Sequence, residues 1–209
     1  MLLFGVTGNI ACGKSTVDAM LHELAGATII DADRVTHDLL RDDSTVRDAI
    51  VNAFGSATLS DDGRIDRRSL GRIVFADPQA LRRLEAIVHP AVRRQIRAEL
   101  ANMPEDSIAV IDAVKLLEGE LGTLVQSVWW VTARPEQQLD RLIRLRGLTE
   151  ADARARIAAQ PALDRWRDRV NVVIDNSGSL AETRDQVRMA LDSVLAANAT
   201  NPAAANRDT

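Results

Sequence analysis

Residues 2–16 read LLFGVTGNIACGKST, and the rest of the chain is best read outward from them. Leu2–Val6 is an apolar, β-prone run. Gly8-Asn9-Ile10-Ala11-Cys12-Gly13-Lys14-Ser15 then satisfies G-x4-G-K-[ST], and Val17, Met20, Leu21 and Leu24 follow at helical spacing. A strand, a glycine-punctuated loop and a helix in this order are the setting in which that spacing holds phosphate. The loop must turn its N–H groups toward phosphate oxygens, and glycine at positions 8 and 13 allows the dihedrals and the close approach. The helix adds the positive end of its dipole. Lys14 is placed for the β- and γ-phosphates, the Ser15 hydroxyl for Mg²⁺ and the Thr16 hydroxyl for the α-phosphate. The whole run, Gly8, Asn9, Ile10, Ala11, Cys12, Gly13, Lys14, Ser15 and Thr16, is the expected ATP-binding set.

Four more apolar runs, Thr28–Ile30, Ile108–Asp112, Val128–Thr132 and Val172–Ile174, alternate with helical patterns. Such alternation predicts a parallel sheet covered on both faces. IAVID and NVVID are apolar almost throughout, as strands buried on both sides require. Asp77-Pro78 reads as an N-cap with proline in the first helical turn, and Pro90 is expected to kink or restart the helix behind it. Ser179 to Glu182 matches a capping box, and Thr149 to Asp152 is a similar start signal. The expected organisation is a nucleotide-binding core of residues 1–34 and 104–196, with a helical, arginine-rich lid at about 136–168. A mostly helical subdomain of residues 35–103 is inserted into it, and a small, polar, disordered tail of residues 197–209 follows.

Bulk composition narrows the class. With 209 residues, 46% apolar and 27% charged, the chain has ordinary globular content, long enough to bury a core. No apolar run approaches the length of a membrane span, and MLLFGVTGN lacks the basic flank and cleavage site of a signal peptide. A lone cysteine, Cys12, excludes an internal disulfide framework and fits a reducing, cytoplasmic setting. His22, His37 and His89 show no metal-ligand spacing. A net charge of −4 favours neither nucleic acid nor an acidic membrane. A monomer or weak homo-oligomer is expected. The only lysines are Lys14 and Lys115, against a background rich in arginine.

Carboxylates supply the remaining candidates. Asp31-Ala32-Asp33 follows the second strand, at the sheet end where open α/β folds bind ligands. In an extended segment both side chains would face one side. Asp33 is then the candidate to orient an acceptor hydroxyl and take its proton, with Asp31 a Mg²⁺ ligand through water. The competing reading makes DAD a helix-capping turn. Asp112, ending IAVID, stands where a second Mg²⁺-binding acid is expected, or is an ordinary strand end. Cys12 is either a redox-sensitive thiol at a helix N-terminus or a small residue that matters only for its backbone.

Taken together, GVTGNIACGKSTV, IIDADRVTHDL, the segment FGSATLSDDGRIDRRSLGRIVFADPQALRRLEAIVHPAV, VWWVTARPEQQLDRLIRLRGLTEADARARIAAQ and VIDNSGSLAET resemble the dephospho-coenzyme A kinases over about residues 3–187. The resemblance implies an α/β fold of the P-loop NTPase type. This is a three-layer sandwich with a five-stranded parallel sheet, an inserted helical substrate domain and a helical lid. It implies transfer of the ATP γ-phosphoryl to the ribose 3′-hydroxyl of dephospho-CoA, with Asp33 as the catalytic carboxylate. Arg67, Arg68, His89 and Pro90 are implied to hold the CoA part, and Arg156 and Gln160 fit the RI-x-x-Q pattern behind the lid. Two departures stand out. The usual D-x-P-L-L-x-E reads Asp112-Ala-Val-Lys-Leu-Leu-Glu118, so Val114 replaces proline and Lys115 an apolar residue. Lys115 is a candidate contact to a substrate phosphate or a lysine lying along a helix surface. The lid arginine falls at Leu145, which makes Arg144 and Arg146 the candidates for closing over the phosphates. A related P-loop kinase for a small molecule or nucleotide, or a catalytically weak CoA-binding homologue, is the alternative. A GTPase would need a guanine-specifying N-K-x-D, which the chain lacks.

Overall fold

A computed structural model of the chain describes residues 1–160 and 162–200. They form two compact units, residues 1–30 with the chain from Pro104 onward, and residues 31–103.

The first unit is built on a sheet with strand order β2-β3-β1-β4-β5: β1 Leu2–Gly8, β2 Thr28–Asp31, β3 Ile108–Asp112, β4 Ser127–Thr132 and β5 Val172–Asp175. β1 is central, pairing in parallel with β3 on one side and β4 on the other, and β4 pairs in parallel with β5. Both neighbours of β1 are themselves interior strands, which is why LLFGV, IAVID and VWWVT carry so few polar residues. Alternation along β1 sends Phe4 and Val6 to one face. There they pack with Val17 and Leu21 of α1 (Lys14–Ala25) and Val187 and Leu191 of α8 (Leu180–Thr200). The Phe4 ring stacks on Trp129 at 5.6 Å. Gly5 faces the other way, against Leu116 and Val125. After β4, α6 (Pro135–Arg146) ends at Gly147 in the left-handed conformation, α7 (Glu150–Ala158) follows, and a 3₁₀ segment, Leu163–Arg169, leads into β5.

The second unit contains α2 (Ala32–Asp42), α3 (Ser44–Phe54), α4 (Arg67–Ala76) and α5 (Pro78–Ala101), with α2, α3 and α4 all packed against α5. A small turn joins α3 to α4. Leu59 bridges Ile65 antiparallel, and Ser60 N–H bonds Arg64 O at 2.9 Å around Gly63. Asp66 then caps α4 through Arg68 N–H, and Asp77 caps α5 through Gln79 N–H.

Three expectations need correction. Of the two outcomes expected at Pro90, a kink or a restart, the restart does not occur, because α5 is continuous across it. The proline removes one backbone bond, worth about 1 kcal/mol. Val88, Ala91, Val92, Ile96 and Leu100 bury a stripe on both sides of it, at about 1.5–3 kcal/mol for each large aliphatic side chain. The segment after β3 is a series of turns over residues 114–118, so Lys115 does not lie on a helix. The expected tail begins too early, since α8 runs to Thr200, and residues 201–209 lie outside the described residues. The capping boxes are present as read. Glu182 Oε2 accepts from Ser179 N–H at 2.7 Å while Ser179 Oγ accepts from Glu182 N–H, and Thr149 Oγ1 accepts from Asp152 N–H.

Trp129 is fully buried and carries the ring contact at the centre of the sheet. Trp129→Ala is expected to lower unfolding free energy by about 3–5 kcal/mol, read as a shifted midpoint in urea denaturation.

Candidate active site: the phosphate loop and its braces

β1 ends at Gly8 with φ 154°, where a β-carbon would sit 2.2 Å from the Val131 carbonyl oxygen of the neighbouring strand. Only glycine lets the chain leave the sheet this close to β4. The loop then turns through Ala11, the one non-glycine residue with positive φ (56°) among the described residues, and Gly13 at φ 92°. Gly13 caps α1, with its carbonyl accepting from Thr16 N–H at 3.0 Å and Val17 N–H at 3.4 Å. The N–H groups of Gly13, Lys14 and Ser15 donate to no backbone carbonyl among the described residues, and that of Lys14 bonds to the buried Cys12 sulfur. They stand at the N-terminal end of a twelve-residue helix, the arrangement that binds an anion.

The rest of the loop is held from outside. Ile10 N–H donates to Gln160 Oε1 at 2.6 Å. Arg141 of α6 donates from Nη1 to Ala11 O at 3.0 Å and from Nη2 to Asn176 O at 3.1 Å. Asn176, just past β5, donates from Nδ2 to Cys12 O at 2.9 Å, and Thr183 Oγ1 of α8 lies 3.0 Å from its Oδ1. Asn176 is 4% exposed. A β-carbon on Gly13 would meet its Nδ2 at 2.0 Å, a second reason for glycine there.

Lys14 Nζ lies 3.7 Å from Asp112 Oδ1, with both side chains less than one-fifth exposed. Ser15, in the first turn of α1, is exposed. A carboxylate and a hydroxyl are hard oxygen donors, and Mg²⁺ typically takes one or two protein oxygens and completes its shell with phosphates and water. Among the described residues no cluster of three or more His, Cys, Asp or Glu side chains competes as a metal cage. The donor set therefore fits Mg²⁺.

Asp31 and Asp33 belong to the second unit, and the alternation expected for them does not occur. Asp31 ends β2 and caps α2, its Oδ1 accepting from Asp33 N–H at 2.9 Å and Arg34 N–H at 3.0 Å. Asp33 is exposed in the first helical turn. Arg67 and Arg68 are exposed in the first turn of α4, and His89 is exposed on α5 beside Pro90. Lys115 lines a cavity of about 220 Å³ in the first unit, together with Asn9, Glu118, Trp130, Gln160 and Trp166. Thr7 Oγ1 donates to Val114 O at 3.1 Å, fixing the backbone at the departure from D-x-P-L-L-x-E.

The lid arginines are placed differently from expectation. Arg144 pairs with Asp140 at 2.6 Å, one turn back on the exposed face of α6, and Arg146 is exposed in the last turn. Arg141 is the α6 arginine bonded to the loop. It lies about 60° around the helix from Arg144 and about 140° from Arg146, and only packing tells which side chain meets the loop. Arg141 and Asn176 lie in the QLDRL and VIDNSG stretches, which carry no signal of their own for loop contact.

Cys12 is 1% exposed in the hydrophobic core beneath the loop. Burial pushes its thiol from 9.0 up to about 11, against the lowering effect of nearby Lys14. That is the opposite of an activated thiol, and the side chain, packed in the core, does more than fill a position that matters only for its backbone.

A phosphate loop after the central strand, with its lysine facing a carboxylate at the end of the adjacent strand, defines a P-loop phosphotransferase core. The dephospho-CoA kinase family model matches residues 2–182. The dephospho-CoA kinase of Symbiobacterium thermophilum is 45% identical over 206 residues, spanning 98% of this chain and 86% of that one. Two solved structures are similar throughout: a Thermus thermophilus protein at 34% identity and TM-score 0.77, covering 93% of this chain and 96% of that one, and the dephospho-CoA kinase of Campylobacter jejuni at 27% identity and TM-score 0.70, covering 94% and 98%. The chain belongs to the dephospho-CoA kinase family.

The folded state retains the Cys12 proton to about 11 and the unfolded chain only to 9.0, so this group's contribution to stability is full below pH 9.0 and is lost as pH rises from there to about 11. Cys12→Ala is expected to flatten that part of the stability profile, measured by denaturation across the same pH window. In the native protein the thiol should react with a disulfide reagent at least ~10-fold more slowly than after denaturation.

Proposed function

We propose that this protein transfers the γ-phosphoryl group of ATP to the ribose 3′-hydroxyl of dephospho-CoA, giving coenzyme A. The observation that carries the reading is the intact phosphate loop of a chain whose family match spans residues 2–182, with Lys14 set against Asp112. Phosphoryl transfer needs positioning and charge stabilisation more than covalent chemistry. The N–H groups of Gly13, Lys14 and Ser15 bind phosphate oxygens and orient the donor. Lys14 supplies a mobile cation, which Asp112 holds at the loop until a phosphate competes for it. Ser15 and Asp112, with Asp31 through water, would hold Mg²⁺, which would supply charge neutralisation on the transferring phosphates.

On the acceptor side, Asp33 is assigned to orient the hydroxyl and accept its proton, and Arg67 and His89 to hold the CoA part. Lys115, on the wall of the cavity beside Asn9, is assigned to an acceptor phosphate. For the lid, the contacts favour Arg141 as the arginine that senses the loop. Arg144, paired with Asp140, and Arg146 are assigned to close over the phosphates. The reading includes action in the cytoplasm as a monomer or weak homo-oligomer, without nucleic-acid or membrane partners. Among the described residues no helix is long and apolar enough to cross a membrane.

The test is ADP release from ATP and Mg²⁺ with and without dephospho-CoA. Release is expected to depend on dephospho-CoA, to fall about 10²–10³-fold in Lys14→Met and about 10²–10⁴-fold in Asp33→Asn. Turnover with adenylate or shikimate but not dephospho-CoA would assign the chain to a related kinase. Tight dephospho-CoA binding without turnover would make it a binding homologue.

A further inference from the structure

We infer that Asn176 is a positioning residue that sets the direction of the anion-facing N–H of Gly13, with Arg141 fixing the preceding peptide. The inference rests on the phosphate-loop reading above and adds a role for two side chains outside the loop.

The argument begins with the planar peptide. In a trans peptide, C=O and the next N–H point to opposite sides of the chain, so holding one aims the other. No cis peptide occurs among the described residues. Arg141 Nη1 holds Ala11 O, which turns Cys12 N–H inward, where it meets Asn9 O at 3.3 Å. Asn176 Nδ2 holds Cys12 O at 2.9 Å, which turns Gly13 N–H away from Asn176. Two consecutive peptides are thus set from outside, on either side of a residue whose side chain is locked in the core.

The Asn176 amide is held at both ends. A backbone carbonyl only accepts, so the nitrogen must face Cys12. Oδ1 is left to the Thr183 hydroxyl at 3.0 Å. Asn176 also fills the space beside Gly13, and its own carbonyl takes the second Arg141 nitrogen at 3.1 Å. Arg141, Asn176 and Thr183 therefore tie α6, the end of β5 and the start of α8 to two carbonyls of one loop. Without them, Ala11 at φ 56° and Gly13 at φ 92° would relax toward other dihedrals, and the N–H groups would lose their common focus.

The decisive variant is Asn176→Leu, of similar volume and no charge, so that electrostatic repulsion of phosphate plays no part. Inorganic tripolyphosphate reports on the loop, and adenosine, lacking phosphate, reports on the remainder of the nucleotide site. Tripolyphosphate affinity should fall about 10-fold, as expected for a misdirected hydrogen bond to a charged group. Adenosine affinity should stay within about 2-fold, a split that general loosening of the fold would not produce. Thr183→Val, which leaves Asn176 in place but frees its amide to turn, should give the same split at about 3-fold and serves if Asn176→Leu does not fold. Equal loss for both ligands, or tripolyphosphate binding within about 2-fold of wild type in a folded variant, overturns the inference. Wild-type protein that binds neither tripolyphosphate nor ATP would overturn the kinase reading, and this inference with it.

Discussion

A loop that binds phosphate through its backbone must face its N–H groups inward, and planarity then forces its carbonyls outward into the protein. Those carbonyls need donors of their own, since a buried acceptor left unmet costs about 1–3 kcal/mol. Around residues 10–13 this requirement organises much of the first unit. α6 supplies Arg141 and the end of β5 supplies Asn176 as donors to two of these carbonyls, while Gln160, after α7, accepts from the Ile10 N–H. The order β2-β3-β1-β4-β5 makes this economical, because β4 and β5 lie on the same side of β1 and their following segments return to its C-terminal end.

The same geometry accounts for the residue types in the loop. Gly8 is required by the approach to the Val131 carbonyl and Gly13 by both its φ and the Asn176 side chain. The Cys12 side chain joins the core with Val17 and Val131 while its carbonyl is captured by Asn176, so one residue anchors the loop to the hydrophobic interior and to the polar brace. Lys14 is the contrasting case. It is held by a 3.7 Å ion pair with Asp112, with both side chains mostly buried.

The second unit follows a different logic. Its helices are ordered by their packing on α5, whose buried stripe crosses Pro90 without a break. Its candidate acceptor residues, Asp33, Arg67 and His89, are all exposed, two of them in the first turn of a helix capped by an aspartate. In the DAD motif, the carboxylate two residues before the candidate base is the cap that starts its helix.

Local sequence was sufficient wherever the determining interaction is local. The strand–loop–helix at residues 2–25, the five apolar strands and the caps at Asp77, Thr149 and Ser179 depend on side-chain period and on bonds spanning two or three residues, and they were legible in advance. The DAD segment was legible only as two alternatives, and the cap geometry shows a helical turn in place of an extended one. What the sequence could not contain was the set of partners separated by more than a hundred residues: Arg141 on Ala11, Gln160 on Ile10 and Asn176 on Cys12. An arginine helix face looks the same at 141, 144 and 146 until tertiary packing chooses an azimuth, and an asparagine after a strand reads as a turn until a carbonyl is found opposite its amide. Phosphate chemistry could be read from Gly8 to Thr16, but the direction in which that loop's N–H groups point was decided by side chains that only the folded sheet brings to it.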